Sequence, residues 1–161
     1  MKKLCDIVIC FVIFQSLSNA QGAKSVYVEL GGPGLASVNF DTRFGKKEDG
    51  LGGRLGIGGF SVRDDLGDKA SVIFIPLGVN YLFGKDEKNY FEIGGGVTPV
   101  IASSNSDFGN ESFSTTFGHL LFGYRLQPKQ GGFTFRAFVC PVFGSGFFIP
   151  YYGGVSFGYK F

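Results

Sequence analysis

Apolar and polar residues alternate with a period of two along almost the whole chain beyond its first twenty residues. Eight segments carry the pattern: 25–31, 36–44, 51–60, 72–83, 90–101, 115–126, 133–143 and 151–161. In the second, Val38, Phe40 and Phe44 share one parity, while Ser37, Asn39, Asp41 and Arg43 share the other. In the fourth, Ile73, Ile75, Leu77, Val79, Tyr81 and Phe83 alternate with Phe74, Pro76, Gly78, Asn80 and Leu82. Such alternation is the signature of a strand with two unlike faces, and no segment carries a helical period. Most segments run to about ten residues, the length a tilted strand needs to cross a bilayer.

The connections differ in kind. "GKKEDG" from Gly45, "GKDEKN" from Gly84 and "PKQGG" from Pro128 are short and charged or contain proline. "SVRDDLGDKAS" and "ASSNSDFGNES" are longer and polar, and they read as outer loops. Short turns at one end and longer loops at the other are the layout of a membrane barrel. The pattern therefore predicts an all-β fold, a closed antiparallel up-and-down barrel of eight transmembrane strands.

Alternation alone leaves open which face points outward. The less apolar face is built largely of glycine, at Gly56, Gly58, Gly78, Gly94, Gly96, Gly118, Gly123, Gly154 and Gly158. Glycine weakens a solvated strand and covers nothing, but it suits a narrow lumen where opposite walls compete for space. Aromatic residues also cluster near strand ends on the apolar face, at Phe44, Phe83, Phe91, Tyr124, Phe133 and Tyr159, as in an interfacial girdle. The apolar face is therefore assigned to lipid.

Composition sharpens this picture. The chain of 161 residues has 27 Gly, 20 Phe, 7 Tyr and only 17% charged residues, so a large apolar surface must find a home outside water. The longest apolar stretch after the first twenty residues, "VIFIPLGV", is too short for a helical span and is broken by proline and glycine. The opening "MKKLCDIVICFVIFQSLSNA" has a basic start, an apolar core and a small-residue end, and reads as a secretory signal peptide cleaved between Ala20 and Gln21. The domain division is then signal peptide 1–20 and barrel 21–161. Without the signal peptide the net charge is about +1, which argues against a nucleic-acid partner. Only Cys140 remains beside a single His, so neither an internal disulfide nor a zinc site is expected, and no cofactor or metal is implied.

The last segment closes with "VSFGYKF", placing Val155, Phe157, Tyr159 and Phe161 on the apolar parity. With this ending, residues 25–161 resemble the small outer-membrane β-barrels of Gram-negative bacteria, in the size and layout of the OmpA/OmpX type. The resemblance implies a monomer seated in outer-membrane lipid. It also implies that Phe157, Tyr159 and Phe161 form a C-terminal signal read by the barrel assembly machinery.

Candidate chemistry is sparse. His119 falls on the inward parity, where an interior hydrogen bond is its expected role; a catalytic base would need a partner within reach, and none can be placed from the sequence. "GGRLGIGG" from Gly52 lacks the following helix that a dinucleotide fingerprint requires. Charges on the inward parity are more informative. Glu29, Asp41, Arg43, Arg54, Glu92, Arg125, Arg136 and Lys160 all fall there, mostly toward the short-turn end, and predict an ionic network in which each carboxylate is shared among several cations. Toward the other end the same face carries Phe60, Phe74, Val100, Phe117, Phe138, Cys140 and Val142. Eight strands enclose a space that side chains just fill, so packing is one expectation for this upper part. A small apolar pocket is the other. The reading is a non-enzymatic barrel with a structural or surface role. Its alternatives are binding or transport of a small hydrophobic ligand, and a lipid-modifying enzyme using His119.

Overall fold

A computed structural model describes residues 22–63, 69–106 and 109–161. The signal peptide and its cleavage point, Ala20 and Gln21, lie outside the described residues. Eleven strands follow in order: β1 (Lys24–Gly31), β2 (Ala36–Arg43), β3 (Gly50–Arg63), β4 (Lys69–Phe74), β5 (Leu77–Phe83), β6 (Asn89–Ser106), β7 (Gly109–Leu126), β8 (Gly132–Val139), β9 (Val142–Gly144), β10 (Phe147–Ile149) and β11 (Gly153–Lys160). They build a wall of eight antiparallel staves, because β4 with β5, β8 with β9 and β10 with β11 each make one stave. The ring closes where β11 pairs with β1, from Lys160 opposite Ser25 to Gly154 opposite Gly31.

Each broken stave is interrupted at a proline, which has no N–H to give to a ladder. Neighbouring groups bridge the gaps. Gly56 N donates to Pro76 O at 2.8 Å and Ile75 N to Pro99 O at 3.0 Å, while Leu120 N donates to Pro141 O at 2.9 Å. The wall therefore continues past Pro76 and Pro141 although regular pairing lapses there.

Lipid-facing and lumen-facing residues separate along every stave. Val28, Val38, Ile57, Val79, Val97, Phe122 and Phe157 are exposed on the outside, as are the six girdle aromatics. Glu29, Asn39, Arg54, Asn80, Glu92, Arg125 and Ser156, of opposite parity, are buried.

The wall is uneven in height. β1 and β2 have 8 residues each, whereas β6 and β7 have 18. At about 3.3 Å per residue and a tilt near 40°, these lengths correspond to roughly 20 Å and 45 Å, against an apolar band of about 25 Å. The tall side corrects the expectation for the two polar stretches. β3 runs on to Arg63, β4 starts at Lys69, and β6 and β7 pair as far as Ser106 opposite Gly109. Most of "SVRDDLGDKAS" and "ASSNSDFGNES" is thus paired strand. Serine and threonine on both faces remove the alternation without removing the ladder, since small hydroxyl residues pair well across strands. Ser71 Oγ, for instance, donates to Ser61 Oγ across β3 and β4 at 3.2 Å. The segment after residue 143 also holds a short strand, β10, which folds back on β9.

On the low side, the turn after β1 folds inward. Gly32, Pro33 and Gly34 are buried over the lumen, entered through Gly31 at φ 78° and Gly32 at φ 67°. A Cβ on Gly32 would lie 2.7 Å from Glu29 Oε1 and 2.9 Å from Phe138 Cζ, so both conformation and space require glycine here.

Candidate functional site: the lumen

Three staves apart or more, inward side chains can meet only by crossing the barrel. Arg125 of β7 does so. Its guanidinium donates to Glu92 of β6 through Nε (2.9 Å) and Nη2 (3.0 Å), and to Asp41 of β2, on the opposite wall, through Nη1 (2.9 Å) and Nη2 (3.1 Å). Arg136 of β8 forks onto the same Glu92 at 3.0 and 2.8 Å. Arg43 donates to Asp41 at 2.6 Å and to the Asn80 side-chain oxygen at 2.5 Å. The Asn80 amide in turn donates to Asp41 and Glu92, at 2.7 Å each. Higher up, Arg54 of β3 donates to Glu29 of β1 at 2.8 Å and to Asn39 at 3.3 Å. Forked guanidinium pairs of this kind fix geometry as well as charge.

Seven of the eight sequence-assigned charges meet in this network; Lys160 stands apart. Its ammonium bonds Glu48 of the first short turn, Pro128 O at 3.1 Å and Lys129 O at 2.6 Å. Glu48 also accepts from Gln127 at 3.4 Å. The first and third short turns are thereby tied across the base of the lumen. The shared-carboxylate expectation covers the arginines and not Lys160, because a turn carboxylate reaches it first.

The sequence reading left out Asn39, Asn80, Gln127 and Glu48 as partners. Asn39 and Asn80 carry the inward parity, so alternation was the signal that could have found them; Glu48 lies in a turn and carries no such signal.

Above the ions, Leu121, Phe138, Cys140 and Val142 pack together, with Phe117 and Tyr152 against them. Higher still lies an apolar cavity of about 260 Å³, bordered by Leu35, Phe74, Phe117, Val142, Phe147 and Ile149. Phe60, expected inside, stands half exposed above this mouth, 6.5 Å from the Phe74 ring centroid. The upper lumen is thus packed below and open above. His119 is buried, and its Nδ1 lies 3.3 Å from Thr98 Oγ1. Among the described residues no group of three or more His, Cys, Asp or Glu could hold a metal ion. Phe157, Tyr159 and Phe161 face outward and are exposed.

No protein-family model matches the chain, and no curated protein matches it. Solved structures do resemble it. The N-terminal β-barrel domain of Pseudomonas aeruginosa OprF aligns with 86% of this chain and 96% of its own, at 12% identity and a TM-score of 0.57. Ail, the attachment invasion locus protein of Yersinia pestis, solved in complex with the heparin analogue sucrose octasulfate, aligns with 87% of this chain and 99% of its own, at 15% identity and a TM-score of 0.54. At such identities the likeness shows the fold, that of the eight-stranded barrels of the bacterial outer membrane. The lipid-facing band of this chain is the surface such a location requires.

Proposed function

We propose that this protein is a monomeric, non-enzymatic barrel of the outer membrane whose lower lumen is a rigid ionic plug and whose working surface is its outer end. One observation carries the reading: Arg125 ties β7 to β2 on the opposite wall while sharing Glu92 with Arg136. Side chains so cross-linked leave no path for ions. Purified protein in planar bilayers should therefore give no stable conductance, and reproducible openings by the wild type would overturn the plug. His119 supports the non-enzymatic side of the reading, since its neighbour is a threonine hydroxyl and not the carboxylate that orients a catalytic histidine.

A second reading, binding of a small hydrophobic molecule, is favoured by the apolar cavity at the mouth. Its volume sits just below the range of drug-sized ligand pockets, so the occupant would be small. Native mass spectrometry of membrane-extracted protein should then show a retained adduct, and loss of that adduct in Val142→Phe would assign it to the mouth.

The C-terminal aromatics are proposed as an assembly signal in addition to lipid-facing surface. Deleting Phe161 should then reduce the folded, heat-modifiable form far more than the burial of one side chain, about 1.5 to 3 kcal/mol, accounts for. Unchanged levels would limit Phe161 to a surface role.

A further inference from the structure

The ionic network of the lumen is unbalanced. Within the lumen, above the Lys160–Glu48 contact, four buried guanidiniums (Arg43, Arg54, Arg125, Arg136) face three buried carboxylates (Glu29, Asp41, Glu92). Asp41 and Glu92 each take short bonds from two arginines. Glu29 takes one, from Arg54, while Arg136 Nη1 stays 3.6 Å from its other oxygen. The network thus carries one positive charge more than its carboxylates balance, and Glu29 is the one carboxylate shared between Arg54 and Arg136.

Unpartnered polar atoms gather at the same place. Among the described residues, the Tyr27 hydroxyl, Glu29 Oε2, Arg54 Nε, Arg54 Nη1, Arg136 Nη1 and the Ser156 hydroxyl are buried without a hydrogen-bond partner. Register explains the gathering. Ser156 stands opposite Glu29 on one side and Arg136 on the other, and the Arg136 guanidinium lies over the Tyr27 ring, 4.6 Å from its centroid. Every one of these residues is at least nine-tenths buried. Buried N–H groups find an acceptor, and a buried charge without a counter-charge is costly. Water could accept the hydrogen bonds but would leave the charge.

We propose that this cluster binds one small inorganic anion of halide size, held by the free N–H groups of Arg54 and Arg136 with the Tyr27 and Ser156 hydroxyls donating. A spherical acceptor suits donors carried by four different strands, β1, β3, β8 and β11. An organic anion does not, because the Gly32–Pro33–Gly34 turn closes over Glu29 from above and would have to move.

Two measurements on the full barrel decide this. In crystals soaked with sodium bromide, anomalous scattering should place a bromide within hydrogen-bonding reach of Arg54 and Arg136. Bromide found only at surface lysines, or ordered water in its place, would overturn the proposal. In urea unfolding at constant ionic strength, replacing sodium gluconate by sodium chloride should raise the folded-to-unfolded ratio of the wild type, tenfold for each tenfold rise in chloride above its dissociation constant. Arg54→Gln should lose that response, and Tyr27→Phe should weaken it. An equal response in wild type and Arg54→Gln would mean that chloride acts elsewhere. Should Arg54→Gln fail to fold, the wild-type bromide map decides alone.

Discussion

The lower lumen and the mouth are built on the same inward parity of the same staves, yet one is filled with ions and the other with rings and space. Below, the wall is complete on all sides and lipid surrounds it, so an inward charge can meet only another inward group. Asp41, Asn80, Glu92, Arg125 and Arg136 accordingly bond one another across the bore. Above, the wall stands high on the β3–β7 side and ends early at β1 and β2. There the inward face of the tall hairpins, with Phe60, Phe74 and Phe117, behaves like one side of a soluble sheet in want of a cover, and the outward face turns to Ser112, Ser114 and Thr116. Wall height decides which solvent each face meets, and the residue types follow.

If the lower lumen is the rigid half, its largest sensitivity should be to charge removal. Glu92→Ala strands Arg125 and Arg136 in a space closed to water, which costs about 3 to 5 kcal/mol by analogy with other broken buried pairs. Glu87→Ala removes a carboxylate from an ion pair with Lys129 at 2.6 Å whose two side chains are more than half exposed. Such a pair contributes about 0 to 1 kcal/mol. Urea unfolding of both variants tests the contrast, and equal small effects would mean that Glu92 is not part of a plug.

Space should separate the two halves next. A Cβ on Gly52 would lie 2.2 Å from Arg43 Cζ and 2.5 Å from Thr42 O, and the guanidinium is held by Asp41, Asn80 and Gly50 O. Gly52→Ala should therefore destabilise by about 1 to 3 kcal/mol, the usual penalty for overpacking. At the mouth, Val142→Leu extends a side chain toward an existing cavity and should change stability by no more than about 0.5 kcal/mol. Comparable losses in both would mean that the mouth is as tightly filled as the base.

These contrasts also mark what the sequence could disclose. Period-two alternation is a strict geometric consequence of the strand, so the eight staves, their outward aromatics and the inward charges were legible from residue order. The tops of β6 and β7 were not, because Ser103, Ser104, Ser112 and Ser114 read as loop composition while cross-strand pairing holds them in the sheet. The partner of Lys160 depended on how a turn folds back, which no periodicity encodes. Whether the mouth is packed or open is a question of volume, set by the inward Gly32–Pro33–Gly34 turn and the unequal heights of the staves.

The smallest expected effect concerns the solvated turn below the plug. Asp86 Oδ1 accepts from Asn89 N at 2.7 Å and Lys88 N at 3.1 Å, and Oδ2 accepts from the Asn89 side-chain amide at 2.5 Å. These bonds favour the carboxylate, with the Asn89 side chain contributing most, and hold its pKa below the ordinary value. A depressed folded pKa means that the turn's stabilisation is fully present above the unfolded pKa, about 3.9, and fades as pH falls through the folded value. NMR titration of the Lys88 and Asn89 amides should then give a shared midpoint below that ordinary value. Ser145 and Gly146, in the turn between β9 and β10 at the mouth, neighbour no titratable residue in sequence, and their amides should stay flat over the same range. A midpoint at or above the ordinary aspartate value would show that the Asp86 bonds do not persist in solution, leaving the ionic anchoring of the lower end to the buried arginines and Lys160.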